Sequence, residues 1–354
     1  MLWRLPVSVR SLYIANCRSY SYSSKAVADP LKILFCGSDE FSIASLEAVH
    51  AAKLEEPQLV ESIDVVHRPG KRTGRGLKVV RDVPIKHFAK DDLGLTTHEI
   101  DTFTGWTPPV PYNLVIAVSF GLFVPPRILC AAKYGGLNVH PSLLPDLRGP
   151  APIHHTLLKK RKMTGVTIQT LHPKHFDHGT IIAQTPPPGL PLDVVPELTP
   201  AKLTSVLGKA GAKMLVDVLK NQAFLHPLRD HGWYGSTDNP IDHAEKITKQ
   251  HRFVDHDNSI GEDVDRRNRV LGNLWCTLPN GKRVILDDIR LSNFPKPSRQ
   301  EDDYQGKPGL MINANDDLVL RTGDGCELKI HACTVEAGRR GEGGETVKSA
   351  LKKT

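Results

Sequence analysis

The sequence predicts an α/β protein in which a Rossmann-like, mostly parallel β-sheet is followed by a smaller C-terminal β-barrel of the OB-like kind. Three observations predict this architecture. The chain opens on an apolar strand that leads through a glycine turn into a helix. Two further apolar strands precede a Pro/Gly-rich loop, and short strands with glycine-containing turns crowd the C-terminal part. Strands that alternate with helices indicate a parallel sheet, whereas clustered short strands indicate a barrel.

The N-terminal part supplies the predicted parallel sheet. The strand candidates are residues 31–35, 59–66, 114–118, 137–139, 165–171 and 180–184. Apolar side chains recur at helical spacing over residues 41–49 and 201–219. The first turn has one glycine where a dinucleotide fingerprint has three, and its Asp39 and Glu40 would repel a pyrophosphate. NAD binding is therefore not expected.

A linker and a second domain follow. Residues 221–240 lose the apolar periodicity and are rich in Pro, Gly, His and Asn, which is typical of a linker. Two short strands around Asn280-Gly281 predict a β-hairpin, and residues 310–313, 318–322 and 327–332 add further strands. The predicted organisation is a presequence (1–28), a catalytic domain (29–220), a linker (221–245), a β-barrel domain (246–336) and a basic disordered tail (337–354).

Composition narrows the class of protein. A chain of 354 residues with 40% hydrophobic and 24% charged residues can form two globular domains. No stretch approaches the roughly 18 uninterrupted apolar residues of a membrane span, so no membrane partner is expected. The net charge of +7 favours an anionic partner. The six cysteines form no Cys-x-x-Cys pair, which favours a reducing compartment.

The first 28 residues differ in kind from the rest. They carry Arg4, Arg10, Arg18 and Lys25 among many Ser and Tyr, and the first acidic residue is Asp29. This composition is typical of a transit peptide for the mitochondrial matrix, with cleavage expected near residue 21. A merely disordered tail is the alternative interpretation.

The most informative stretch is residues 135–152. Strand periodicity places Asn138 and His140 on the same side of an extended segment. A carboxamide and an imidazole directed into one pocket can stabilise an oxyanion and move a proton, which are the two requirements of acyl transfer to an amine. A buried Asn/His pair in an ordinary α/β domain is the alternative.

This stretch resembles the signature of the folate-dependent formyltransferases, Asn-x-His-x-Ser-Leu-Leu-Pro followed by Arg-Gly-x-x-Pro. It stands here as Asn138 to Pro145 and Arg148 to Pro152, and the family's next two blocks are similar to residues 164–168 and 176–179. Four blocks in the same order carry more weight than one short motif.

The resemblance implies formyl transfer from 10-formyltetrahydrofolate to an amine. Asn138 would stabilise the oxyanion, His140 would act as proton relay or oxyanion stabiliser, and Asp177 would be the third catalytic residue. The implied folate-binding residues are Phe120, Gly121, Leu122, Ser142, Leu143, Leu144 and Pro145. No metal is expected, because His172, His175 and His178 with Asp177 fit no recognised zinc spacing.

A basic loop over residues 68–78 indicates the acceptor. It holds five cationic side chains and three glycines, which predicts an extended, solvated loop. Family members that act on methionyl-tRNA carry a similar Pro-x-x-x-x-Gly-Arg-Gly loop, and residues 266–272 resemble the start of their C-terminal domain. The implied tRNA-binding residues are Lys71, Arg72, Arg75, Lys78, Arg266 and Arg267.

The resemblance therefore implies a monomeric enzyme that formylates initiator methionyl-tRNA and supports initiation of mitochondrial translation. The alternatives are a folate-dependent formyltransferase or hydrolase that acts on a small molecule, such as a purine precursor or a sugar nucleotide, and a non-enzymatic RNA-binding protein on the same scaffold.

Overall fold

The computed structural model describes residues 27–193, 198–293 and 307–352. The predicted presequence therefore lies outside the described residues, apart from its last two positions. The described chain divides into two compact units. The first contains the residues up to Asp146 together with Gly165–Gly189 and Thr204–Ile241, and the second contains Leu147–Thr164, Leu190–Leu203 and the residues from Asp242 onward.

Sixteen strands and seven α-helices make up the described chain. The strands are β1 Leu31–Gly37, β2 Val60–His67, β3 Lys71–Thr73, β4 Val79–Arg81, β5 Thr96–Glu99, β6 Leu114–Val118, β7 Gly136–His140, β8 Met163–Thr164, β9 Thr167–Thr170, β10 Ile181–Gln184, β11 Leu190–Pro191, β12 Leu274–Thr277, β13 Arg283–Asn293, β14 Gly309–Ile312, β15 Leu318–Arg321 and β16 Glu327–Val335. The helices are α1 Glu40–Glu55, α2 Pro84–His87, α3 Pro126–Ala131, α4 Pro152–Leu158, α5 Pro200–Lys220, α6 Gly261–Leu271 and α7 Gly344–Leu351.

The first unit is built on a seven-stranded sheet with the order β10-β9-β7-β6-β1-β2-β5. In the part of this order that runs β7-β6-β1-β2-β5, all neighbours are parallel. Strand β9 pairs antiparallel with β7, and β10 pairs antiparallel with β9. All five residues of β6 are buried, as expected for a parallel strand covered on both faces. The predicted mostly parallel, Rossmann-like sheet is thus confirmed.

The turn between β1 and α1 explains the single glycine of the opening motif. A Cβ atom at Gly37 would lie 2.6 Å from Cδ1 of Ile85 and 3.0 Å from the side chain of Ser42. Asp39 caps the helix, since its carboxylate accepts a hydrogen bond from the Ser42 N–H at 3.1 Å. Gly37 therefore serves close packing of the helix against the strand.

The basic segment forms a small hairpin instead of the extended loop that its charge predicts. Strand β3 pairs with β4, and the turn between them uses positive φ at Gly74 (77°) and Gly76 (73°). Leu77, Val79 and Val80 of this hairpin each expose more than half of their surface. Pairing of the two strands can thus order a segment that has no hydrophobic core of its own, because it provides hydrogen-bond partners for the main-chain N–H and C=O groups.

The second unit contains a five-stranded antiparallel sheet with the order β12-β13-β16-β15-β14. Strands β12 and β13 form the predicted hairpin, and its turn places Gly281 at a φ of 79°. Leu274, Leu286 and Leu328 are fully buried in its core. This sheet confirms the predicted C-terminal β-domain.

Two segments that the sequence assigns to the catalytic domain pack with this second unit. The Leu147 N–H donates to the Asp242 carbonyl at 2.8 Å, and the Ala244 N–H donates to the Arg148 carbonyl at 2.7 Å. Helix α4 contacts helix α6. Such pairings join residues far apart in the sequence, so local patterns do not reveal them.

The C-terminal residues also differ from the predicted disordered tail. Helix α7 buries Val347 completely, and Lys348 pairs with Asp316 at 2.8 Å. The buried Val347 and the Lys348–Asp316 ion pair contribute to ordering a segment that is rich in Gly, Arg and Lys.

Five cysteines lie in the described chain, at positions 36, 130, 276, 326 and 333. Burial raises the pKa of Cys276 to about 12 and that of Cys333 to about 11, so both remain protonated at neutral pH. Within the described residues, no helix has the length and apolar character needed to cross a membrane.

Candidate active site

Strand β7 carries the polar pair of the sequence motif. Asn138 and His140 occupy alternate positions of the strand, while Leu137 and Val139 at the other positions are buried apolar residues. Because alternate side chains of a strand point to opposite faces, the apolar residues enter the core and the polar pair faces the other side. The strand lies between β6 and β9, which fixes its position.

The carboxylate of Asp177 lies close to both Asn138 and His140. Its Oδ1 atom lies 3.4 Å from Nδ2 of Asn138 and 3.5 Å from Nδ1 of His140. The side chains of His140 and Asp177 are 7% and 10% exposed, so water screens their interaction little. The three residues predicted as catalytic thus meet at one carboxylate oxygen, although they come from two segments of the chain.

Gln169 is a fourth member that the sequence does not reveal. Its Nε2 donates to Oδ1 of Asp177 at 3.2 Å, and its Oε1 accepts from the Gly179 N–H at 3.0 Å. The residue is buried on strand β9. One amide side chain thus holds the carboxylate and the backbone of the same loop. The other residues of this strand are Thr167, Ile168 and Thr170, so the sequence gives no distinctive signal for Gln169.

The backbone around Asp177 explains the Asp-x-Gly motif. Asp177 adopts a φ of 55°, a left-handed conformation that Asp tolerates better than most residues. A Cβ atom at Gly179 would lie 1.8 Å from the carbonyl oxygen of Thr170. Only glycine fits there, and this close approach directs the Asp177 side chain toward β7.

The arrangement suits acyl transfer to an amine. An amide has two N–H donors, so Asn138 can bond Asp177 with one and an oxyanion with the other. A carboxylate beside Nδ1 of His140 favours the ring form protonated on that nitrogen, which directs Nε2 at a reacting group. The carboxylate also stabilises an imidazolium during proton transfer.

The segment after His140 is held by hydrogen bonds to side chains of β9 and β10. The Leu144 N–H donates to Oγ1 of Thr167 at 3.1 Å, and Nε2 of Gln184 donates to the Leu144 carbonyl at 2.8 Å. Ser142, Leu143 and Leu144 are buried, while Pro145 is partly exposed. Most of these predicted folate-binding residues therefore have their side chains in the protein interior.

The loop after β6 is more accessible. Phe120 is buried and packs edge-on against Phe103, with ring centroids 5.9 Å apart. Ser119 and Gly121 adopt positive φ of 48° and 75°, and Gly121 is exposed. Phe120 thus anchors an irregular backbone that could present main-chain N–H and C=O groups to a ligand at Gly121 and Leu122.

The predicted tRNA-binding cations fall into two groups. Lys71, Arg72 and Lys78 are exposed on the hairpin β3–β4, whose turn also contains Arg75. In the second unit, Arg266 pairs with Glu262 and Asp263. Arg267 donates to the backbone carbonyls of His251 and Phe253 at 2.6 and 2.5 Å. These intramolecular contacts favour a structural role for Arg266 and Arg267.

The histidines near Asp177 have mutual contacts of another kind. Rings of His172 and His175 stack with centroids 5.4 Å apart, and His178 lies 5.5 Å from His175. Among the residues that the structure describes, no group of three or more His, Cys, Asp or Glu side chains is arranged to hold a metal ion.

The fold is of the α/β class, and the chain belongs to the formyl transferase family, whose profile matches residues 31–219. It is 36% identical to the mitochondrial methionyl-tRNA formyltransferase of Saccharomyces cerevisiae, over 86% of this chain and 88% of the relative. The human protein of the same name is 34% identical over 73% of this chain. The match spans 61% of the human protein's length.

Solved structures support the fold. An N-formyltransferase from Helicobacter canadensis, crystallised with folinic acid and dTDP-3-aminofucose, superimposes with a TM-score of 0.51 at 13% identity. The match covers 85% of this chain and 98% of that structure. At this identity the similarity concerns the architecture.

Gln169 offers a test of how the site is held together. Gln169→Leu removes both hydrogen bonds and is expected to lower turnover by about 10-fold or more, since a lost buried hydrogen bond typically costs 1–3 kcal/mol. The KM for the acceptor should change little, because Gln169 contacts the loop from inside. Steady-state kinetics of formyl transfer would measure both parameters.

Gln169→Glu is the matched variant. It can still accept from the Gly179 N–H but places a second carboxylate against Asp177, so it should impair turnover as strongly as leucine. Near-native turnover in both folded variants, with folding checked by thermal unfolding, would contradict the assigned positioning role.

Proposed function

We propose that the protein transfers the formyl group of 10-formyltetrahydrofolate to the α-amine of methionyl-initiator tRNA in mitochondria, where it supports initiation of translation. The observation that carries the proposal is the meeting of Asn138, His140 and Asp177 at one oxygen, in a unit that the formyl transferase profile matches. The acceptor and the compartment are inferred from the curated relatives, because those of human and yeast are named mitochondrial methionyl-tRNA formyltransferases.

In the proposed reaction, the neutral α-amine attacks the formyl carbon and forms a tetrahedral intermediate with one oxyanion. An N–H of Asn138 stabilises that oxygen. His140, oriented by Asp177, takes the proton that the attacking nitrogen loses and returns it to N10 as the C–N10 bond breaks. The products are N-formylmethionyl-tRNA and tetrahydrofolate, with no net proton released.

The accessible part of the site is the proposed location of the folate. We propose that the pterin contacts the irregular backbone at Gly121 and Leu122 and the exposed edge of Pro145. Phe120, Ser142, Leu143 and Leu144 support this surface from the interior, as their burial indicates. The formyl group on N10 would then reach the carboxamide of Asn138.

The direct test is formyl transfer by the purified protein. It would be incubated with 10-formyltetrahydrofolate and initiator methionyl-tRNA, elongator methionyl-tRNA or an amino-sugar nucleotide, and the formylated product would be measured by mass spectrometry. We expect formylmethionine on initiator tRNA in large excess over the other acceptors. Preferential formylation of the sugar would replace the proposal with the small-molecule alternative.

Mitochondrial targeting has a separate test. Residues 1–28, fused to a fluorescent reporter, are expected to direct it into the matrix, because they combine four cations with an absence of acidic residues. Replacing Arg4, Arg10 and Arg18 by Gln is the matched control and should abolish import. A cytosolic location of the unmodified fusion would oppose the organellar role.

A further inference from the structure

The loop that carries Asp177 also presents a surface of planar rings. Residues 172–178, named here the histidine loop, contain three histidines, Phe176 and Lys174 within seven positions. The rings of His172 and His175 stack with an interplanar angle of 23°. Lys174, His175, Phe176 and His178 are exposed.

Phe176 is the most unusual member of the loop. Its ring is 59% exposed, and it packs edge-on against Phe123 with centroids 5.3 Å apart and planes at 82°. A single exposed apolar residue is common on protein surfaces. Here, however, the ring is held by a second aromatic residue and directly precedes the proposed catalytic carboxylate.

The histidine loop is ordered by its own side chains. Nδ1 of His172 accepts from the N–H groups of Lys174 and His175 at 3.2 and 3.1 Å. Nδ1 of His178 lies 2.5 Å from the Phe176 carbonyl and donates to it. A loop organised before binding loses less conformational entropy when a ligand arrives.

Planar rings beside a cationic side chain are the chemistry with which proteins bind unpaired nucleotides. Bases stack on Phe or His rings with little regard to sequence, and a lysine contacts the adjoining phosphate. In the proposed reaction the attacking amine is joined to the terminal ribose of the tRNA by a single methionyl ester. The terminal nucleotides must therefore lie beside Asp177, which is itself part of the histidine loop.

We propose that the histidine loop is a stacking site for the unpaired 3′-terminal nucleotides of the acceptor, with Phe176 and His175 as the stacking faces and Lys174 on phosphate. The inference rests on the proposed function and deepens it. The loop thereby couples binding of the acceptor end to the position of the carboxylate that orients His140.

Three substitutions of Phe176 test the stacking. Phe176→Ala removes the ring. Phe176→Leu is the matched control, because it keeps an apolar contact with Phe123 but has no aromatic face. Phe176→Trp restores and enlarges that face. For each protein, kcat and the KM values for methionyl-tRNA and for 10-formyltetrahydrofolate would be measured.

We expect alanine and leucine to raise the KM for methionyl-tRNA by on the order of 10-fold, in line with the usual effect of losing one stacked base, and tryptophan to restore it. The KM for the folate should stay unchanged. A higher KM for the folate alone would assign the ring to the benzoyl group of that substrate. A fall in kcat alone, or wild-type kinetics of the leucine variant, would likewise overturn the proposal.

A binding experiment separates this inference from the proposed function. Two RNA hairpins, one with a single-stranded 3′ overhang and one blunt-ended, would be compared by fluorescence anisotropy. The wild type should bind the overhang hairpin more tightly, and Phe176→Ala should lose that preference. If the wild type formylates methionyl-tRNA but does not distinguish the hairpins, the stacking site is refuted while the proposed function stands. Discrimination without formylation refutes the proposed function instead.

Discussion

Alanine in place of Asn138 or His140 is expected to lower the turnover of formyl transfer to methionyl-tRNA by about 100-fold or more. Both side chains act on one tetrahedral centre in the proposed reaction, and neither holds the tRNA. Asn138 supplies a donor whose interaction strengthens as charge develops on oxygen, whereas His140 moves the proton. Binding of tRNA, measured by filter retention, should therefore remain within about twofold of wild type.

The chain contains a matched control for this experiment. His98 and Asp64 form a second histidine–carboxylate pair in the same sheet, with Nε2 and Oδ1 3.1 Å apart and side chains 16% and 13% exposed. His98→Ala breaks a pair of similar geometry away from β7, so it should affect stability but not turnover. If His140→Ala lost no more activity than His98→Ala, His140 would be a structural residue and the proposed chemistry would be wrong.

Asp177 should behave differently from these two residues. Asp177→Asn preserves the shape of the side chain and its contact with Gln169, but it removes the charge that stabilises a protonated His140. Turnover should fall while the thermal unfolding temperature changes little, since the site loses a charge and no volume. An amide at this position can also favour the wrong ring tautomer of His140, which adds to the loss.

The sequence predicted the elements of this site better than their assembly. The period-2 pattern of Asn138 and His140 depends only on neighbouring residues, so it could be predicted from the strand alone. The approach of Asp177 to this pair requires the antiparallel pairing of β7 with β9, which joins distant segments. Sequence periodicity carries no information about such pairing, and only the family resemblance connected the two motifs.

The role of Gln169 and the steric need for Gly179 could not be predicted from the sequence. Gln169 has no charge and no motif, and its role depends on two hydrogen bonds to a loop that folds back over its strand. Gly179 is part of a sequence motif, but only the structure shows why glycine is required there: a side chain would collide with the Thr170 carbonyl. In the second unit, the positive charges of Arg266 and Arg267 are as compatible with intramolecular contacts as with RNA binding. Their contacts within the unit favour a structural role, and RNA binding by these two residues stays a prediction.

Removing the cations of the hairpin β3–β4 is the second change with a large expected effect. Strands β1, β2, β6 and β7 run parallel, so the segments that follow them leave from the same edge of the sheet. The hairpin follows β2, and β7 carries Asn138 and ends at His140, which allows one acceptor stem to meet both. Arg75→Ala is expected to raise the KM for tRNA, because a guanidinium between two glycines can approach base edges and backbone closely.

Neutralising Lys71, Arg72 and Lys78 together should weaken tRNA binding further and change its dependence on salt. Each phosphate contact contributes about 0.9 to the slope of log K against log salt concentration, or about 0.7 for single strands. The triple alanine variant should therefore show a slope shallower by roughly two to three, and its deficit relative to wild type should be largest at low salt.

Lys90→Ala with Lys209→Ala removes exposed charge outside the hairpin and should leave the slope nearly unchanged. Turnover at saturating tRNA should persist in the triple variant, since Asn138, His140 and Asp177 are intact. An unchanged salt slope together with a lower kcat would mean that the hairpin serves folding or folate binding, and its assignment to the acceptor stem would be lost.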